Sequence, residues 1–179
     1  MIVTISGTPG AGKSTVAKEI AKKLSLKHYY MGGMIREMAK NQGLTLNEFY
    51  AKDKNVDRLI DDRLVKLGQE ENNFIVEGRT AFHFIPHSIK IYMDVNLKEG
   101  AERIFKDEKE RNEKKYNDVD EVLEGIKERL KTETKRYKEL YNLDVHDKSK
   151  YDFILDTTNL NAEESQKKLI NFIRHYNKR

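Results

Sequence analysis

Cysteine is absent from all 179 residues. That excludes disulfide staples and thiolate metal sites, and it suits a cytoplasmic setting. Only two prolines occur, and neither repeats nor low-complexity tracts are visible. No apolar run approaches the length of a bilayer span, and mean hydropathy is −0.81. The first residues read as strand and glycine-rich turn, so no secretion signal is expected there. Charge of one sign is also lacking. Net charge is only +4 although 36% of residues are charged. Between Lys98 and Leu140, 13 basic and 13 acidic residues are closely mixed, the pattern of solvated, salt-bridged helices rather than of a surface that tracks a nucleic acid. The length suits one domain over 1–179 with a core of useful size.

What is present is concentrated near the start. Gly7-Thr8-Pro9-Gly10-Ala11-Gly12-Lys13-Ser14 fits the phosphate-loop pattern. A β-branched run, Ile2-Val3-Thr4-Ile5, precedes it. Val16, Ile20, Ala21 and Leu24 follow at helical spacing. The motif therefore stands between a strand and a helix start. There, glycines let backbone N–H groups turn toward a phosphate and the helix terminus adds positive potential. Lys13 can reach the β- and γ-phosphates, and the Ser14 hydroxyl can meet Mg²⁺. The expected ligand is ATP with Mg²⁺.

Strands are expected near 2–5, 28–30, 74–76, 89–94 and 153–155, with helices near 13–24, 34–41, 54–69, 98–110, 119–140 and 163–176. Gly32-Gly33 opens the second helix and Gly43 breaks it. A short helix starts at 45–48, capped by Thr45 or Asn47. Val56, Leu59, Ile60, Leu64 and Leu67 form one face of the helix at 54–69. Residues 112–118 form a polar break. Alternating strands and helices imply a three-layer α/β/α fold with a central five-stranded parallel sheet, in which 2–5, 74–76, 89–94 and 153–155 are the central strands. Ligands in such sheets bind at the carboxyl ends of the strands. That edge collects the phosphate loop, 31–33, 77–79 and 156–158.

A phosphate loop names a nucleotide but not a second substrate. The guanine-reading pattern Asn-Lys-x-Asp is missing, which argues against a GTPase, and the chain is short for a helicase or an AAA-type motor core. Small-molecule kinases remain. A phosphorylated acceptor would need further cations to bring two anions together. Arg36 and Arg79 stand beside the ligand edge, while Arg129 and Arg136 lie seven apart on a helix. A guanidinium grips phosphate bidentately. The plain alternative is a surface ion pair, strongest for Arg129 and Arg136 in so charged a helix.

The ordered runs resemble the nucleoside monophosphate kinase superfamily, and within it the archaeal-type cytidylate kinases. They are 4–15, Gly32-Gly33-Met34-Ile35-Arg36-Glu37, 56–63, Val76-Glu77-Gly78-Arg79, Glu102-Arg103-Ile104, Arg129 with 133–137, 140–144 and 151–157. They cover nearly the whole chain. The resemblance implies a core, a monophosphate-binding segment at 31–70 and a lid at 107–138. It implies that Gly7 through Thr15 hold ATP and that Arg103 packs over its adenine, near Thr157-Thr158-Asn159. Arg36 and Arg79, with Gly32, would hold the acceptor phosphate. Lys13, Arg129 and Arg136 would act on the transferring group, and Glu77 would hold Mg²⁺ through water. Arg58 and Asp61 are candidates for reading the base, within a set that also includes Asp57, Asp62 and Arg63. The plain alternative for Glu77 is a strand-end carboxylate paired with an arginine.

Two positions depart from the usual pattern. Met31-Gly32-Gly33 replaces a small polar residue, glycine and an acid. Asp107, with Lys106 beside it, stands where a base is common four residues after Arg103. Other monophosphates, a small acceptor such as shikimate, or a regulatory nucleotide-binding module stay open. The expected partners are nucleotides alone, with no nucleic acid or membrane, and the default state is a monomer.

Overall fold

The computed structural model describes residues 1–52, 55–107 and 116–176. Position 54, the helix end at 108–110 and the polar break at 112–115 lie outside them, as do residues 108–115 of the segment expected to form a lid. The elements run β1 (Ile2–Gly7), α1 (Lys13–Lys23), β2 (Lys27–Tyr30), α2 (Met31–Asn41), α3 (Leu46–Lys52), α4 (Val56–Glu70), β3 (Phe74–Glu77) and α5 (Ala81–Phe84). They continue with β4 (Ile89–Asp94), α6 (Leu97–Lys106), α7 (Val119–Tyr141), β5 (Phe153–Asp156) and α8 (Ala162–Tyr176).

The sheet is five-stranded, in the order β2-β3-β1-β4-β5, and every pairing is parallel. Its strands alternate between two apolar layers. Val3, Ile5, Ile75, Ile91 and Met93 meet α1 and α8 through Val16, Ile20, Leu169 and Ile173. Ile2, Phe74 and Val76 meet α2, α3 and α4 on the other face, through Ile35, Phe49, Ile60 and Leu64. The uninterrupted apolar run at 74–76 therefore serves both faces, as a doubly covered parallel strand requires. Two smaller clusters complete the packing. One joins α6 to α7 around Ala101, Ile104, Val122 and Ile126. The other gathers Phe82, Tyr92, Tyr137 and Tyr151.

Three expectations change. The strand at 153–155 is an edge, paired only with β4, and Ile154 is 41% exposed; β3, β1 and β4 are the interior strands. Helix α2 begins at Met31 rather than after the glycines. Gly32 and Gly33 lie in its first turn, where the Tyr30 ring covers them: a Cβ on Gly33 would stand 2.5 Å from that ring. On α4, Leu59 is 44% exposed, while Asp61 is buried. The inward face continues from Val56 and Asp57 to Ile60 and Asp61, one turn on. The short helix at 45–52 is capped as expected. Glu48 N donates to Thr45 Oγ1, and Thr45 N donates to the Glu48 carboxylate at 2.7 Å, a reciprocal box.

Candidate active site

The β1 register carries the chain to Gly7, opposite Met93 of β4, and the phosphate loop opens there. Gly10 has φ +83, and its Cα side faces Gly100 of α6 so closely that a Cβ would fall 2.4 Å from the Gly100 carbonyl oxygen. Gly12, at φ +77 with open space around it, leads into α1. The first N–H groups of α1 have no acceptor within the helix and face the loop. Lys13 folds back: its Nζ donates to Gly7 O at 3.0 Å and Thr8 O at 2.7 Å. Burial, and then the nearby Arg79, hold its ammonium well below the ordinary lysine pKa, so the cradle awaits negative charge.

Beside the loop, β3 delivers Glu77 and Arg79. Glu77 is 3% exposed. It accepts from the Ser14 hydroxyl at 2.8 Å and lies 2.6 Å from His28 Nε2. Arg79 donates to the Gly7 carbonyl, so the core arginine already reaches the phosphate loop. Its Nε lies 2.9 Å from Glu133 on α7, and the same carboxylate stands 2.9 Å from Arg129 Nε. Burial alone would raise the Glu133 pKa. Arg79 and Arg129 outweigh it and lower the value to about 2. The carboxylate is thus ionised and almost wholly enclosed.

Arg136 does not join this cluster. Its guanidinium stacks over Tyr50 of α3, 4.6 Å from the ring centre, and its Nε lies 3.4 Å from Asp57 of α4. Asp61, on the same face of α4, accepts from Thr80 at 3.2 Å and from the Tyr141 hydroxyl. Burial raises the pKa of both Asp57 and Asp61. Arg58 turns away: its side chain is 81% exposed, with Asp62 at 4.0 Å. One residue of helix rotation separates it from the Asp57–Asp61 face, so Arg58 and Asp61 are not brought together. Arg36 donates to the Tyr30 hydroxyl at 2.5 Å, and Gly32 lies beneath that pair.

On the opposite flank Arg103 of α6 donates to Thr157 O at 2.9 Å and Thr158 O at 3.1 Å, and it pairs with Glu99. It thereby fastens the loop after β5. Beside that loop lies a cavity of about 340 Å³, lined by Asp94, Val95, Asn96, Asp156, Thr158 and Asn159. Thr8 donates to Asp94 at 2.6 Å, and Lys148 pairs with the other Asp94 oxygen at 2.5 Å. Thr15, in the first turn of α1, is exposed.

Sequence reasoning assigned no role to Glu133, His146, Asp94 or Gly100. Glu133 had a signal, since it lies four residues from Arg129 and three from Arg136 on one helix. The others become neighbours of the loop only through tertiary packing. Asp94 and Gly7 belong to adjacent strands whose pairing no local pattern encodes.

Fold and site together define the phosphate-loop class of small kinases. A family model described as an AAA domain matches residues 6–127. That match bears against the length argument that set AAA-type cores aside, and the finer assignment rests on relatives matched over nearly the whole chain. A cytidylate kinase of Methanocaldococcus jannaschii is 41% identical over 171 residues, 91% of this chain and 92% of that protein. One of Methanopyrus kandleri is 37% identical, covering 92% and 89%. One of Pyrococcus horikoshii is 36% identical, covering 91% and 83%. The chain belongs to the cytidylate kinase family. Among solved structures, an uncharacterized protein from Eubacterium ventriosum superposes with TM-score 0.72 at 18% identity over 97% of this chain and 98% of that one. A shikimate kinase from Bacteroides thetaiotaomicron gives 0.68 at 16% over the same shares. These two share the fold.

Proposed function

We propose that the protein transfers the γ-phosphoryl group of ATP to CMP, and to dCMP, releasing ADP and the nucleoside diphosphate. The observation that carries this reading is the meeting of Arg79 and Arg129 on one carboxylate beside the phosphate loop. Two guanidiniums from different elements converge there, as a second phosphorylated substrate requires.

In this reading the loop from Gly7 to Thr15 cradles the ATP phosphates, Lys13 reaches the β/γ oxygens, and Arg103 lies over the adenine. Arg36 and Arg79, with Gly32, clamp the acceptor phosphate. Asp61 accepts from the cytosine amino group, and Arg58 swings from its solvent-facing pair to the ring acceptor. The segment 31–70 forms the acceptor side and 107–138 the lid, from which Arg129 and Arg136 close on the transferring group. The acceptor oxygen is already anionic and needs no strong base. Positioning and charge stabilisation do the rest.

The donor set suits Mg²⁺. Ser14 and Glu77 offer two hard oxygens side by side at the cradle's edge. Among the described residues no group of three or more His, Cys, Asp or Glu could hold an ion unaided. Mg²⁺ characteristically completes such a pair with water and phosphate oxygens. Ser14 would ligate it directly and Glu77 through water, and the bound ion would neutralise charge on the phosphates.

No helix among the described residues is long and apolar enough to cross a membrane. We take the protein to act in the cytoplasm, as a monomer, on nucleotides alone. ADP release across CMP, dCMP, UMP, AMP, GMP and shikimate tests the assignment. CMP and dCMP should lead. Dominance of any other acceptor, or no stimulation by any, would overturn it. In the same assay Lys13→Ala should nearly abolish turnover. Arg79→Ala should lower kcat/KM for CMP by about 100-fold, the size of losing one aligned charge donor.

A further inference from the structure

One neighbour of the arginine–glutamate cluster has no part in the reaction described above. His146 follows the end of α7, and its Nε2 is buried without a hydrogen-bond partner among the described residues, 3.9 Å from Glu133 Oε2. Its other nitrogen, Nδ1, lies 3.1 Å from the Tyr92 hydroxyl. The proton positions follow from the chain of contacts. Thr8 spends its only hydroxyl proton on Asp94, whose pKa is lowered by Lys148 and Thr8 against its burial, so it is an ionised acceptor. Tyr92 can then donate either to Thr8 Oγ1, at 3.3 Å, or to His146 Nδ1. The first choice would leave an imidazole lone pair facing the Glu133 carboxylate. The second leaves a proton on Nε2, directed at that carboxylate. Electrostatics select the second. Burial, and then Arg79, lower the His146 pKa, so the ring is neutral.

When an acceptor phosphate takes the Arg79 guanidinium, Glu133 loses one of its two cations while it stays charged and enclosed, which is strongly unfavourable without a replacement donor. We propose that His146 is a positioning residue that receives Glu133: its Nε2–H takes the carboxylate as Arg79 passes to the acceptor phosphate, keeping Glu133 paired and the Arg79 fork free. A shift of about 1 Å brings the two atoms to hydrogen-bond distance. This rests on the reading of Arg79 as the acceptor-phosphate clamp.

Steady-state kinetics of the full chain test it, with CMP and ATP varied separately. His146→Leu should raise KM for CMP on the order of tenfold, the loss typical of one hydrogen bond to a charged group, while KM for ATP stays within about twofold. His146→Gln, which restores an N–H at the same reach, should recover most of the loss. In a Glu133→Gln background His146→Leu should add little. If His146→Leu fails to fold, His146→Asn, whose donor is drawn back from the carboxylate, is measured in its place. An unchanged KM for CMP, equal impairment of the Gln and Leu variants, or full additivity with Glu133→Gln would overturn the proposal while wild-type CMP turnover stands. Absence of that turnover would overturn the reading of the site and this inference together.

Discussion

Glu133 concentrates the electrostatic tension of this site in one residue. It is 5% exposed and yet ionised, because two guanidiniums bring its pKa from 4.5 to about 2. A depressed carboxyl pKa contributes stability that is complete above about pH 4.5 and lost as pH falls toward 2. The size is about 3 kcal/mol. Chemical denaturation at pH 6, 4 and 3 should therefore show the wild type losing its advantage over Glu133→Gln as pH falls. A constant gap across that range would mean that Glu133 does not titrate as described. At this scale the sequence was most legible where a motif fixes geometry locally. Gly7 to Ser14 form their cradle from consecutive residues. Arg79 could be placed because it follows a strand directly. The partner of Arg79 could not, since 54 residues separate it from Glu133 and α7 reads locally as a solvated charged helix.

At the scale of elements, helix and strand identities followed from spacing and boundaries followed less well. The four-residue α5 carries too few apolar positions to show a period, and it emerges only because the backbone turns after Arg79 toward Ile85. The edge position of β5 was hidden too. Phe153, Ile154 and Leu155 look alike in sequence, yet α8 covers Phe153 and Leu155 while Ile154 faces outward. A tertiary contact between elements also explains Gly100. On α6 it would pass for an ordinary helix weakener, but a Cβ there would stand 2.8 Å from Pro9 O. Gly100→Ala should therefore lower Tm and raise KM for ATP despite alanine's better helix propensity. A rise in Tm with unchanged KM would show that the loop yields without cost.

Across the whole molecule, α7 links the parts. Its first half packs on α6 through Val122 and Ile126. Its second half reaches Arg79 through Glu133, α4 through Arg136 and Tyr141, and Tyr92 through the cluster around Tyr137. Its start is fixed by Asp118, which accepts from Glu121 N at 2.8 Å. Hydrogen exchange should show residues 126–141 more protected with an ATP analogue and CMP together than with either alone. Equal protection by one nucleotide would mean that α7 responds to that nucleotide alone.

A helix of 23 residues is about 34 Å of stiff rod. It packs on α6 near its start and meets α3 and α4 through Arg136 and Tyr141 near its end, so one rigid body touches both flanks of the phosphate loop. Should a nucleotide at one end stiffen this rod, the effect felt at the other end must be returned by the same factor.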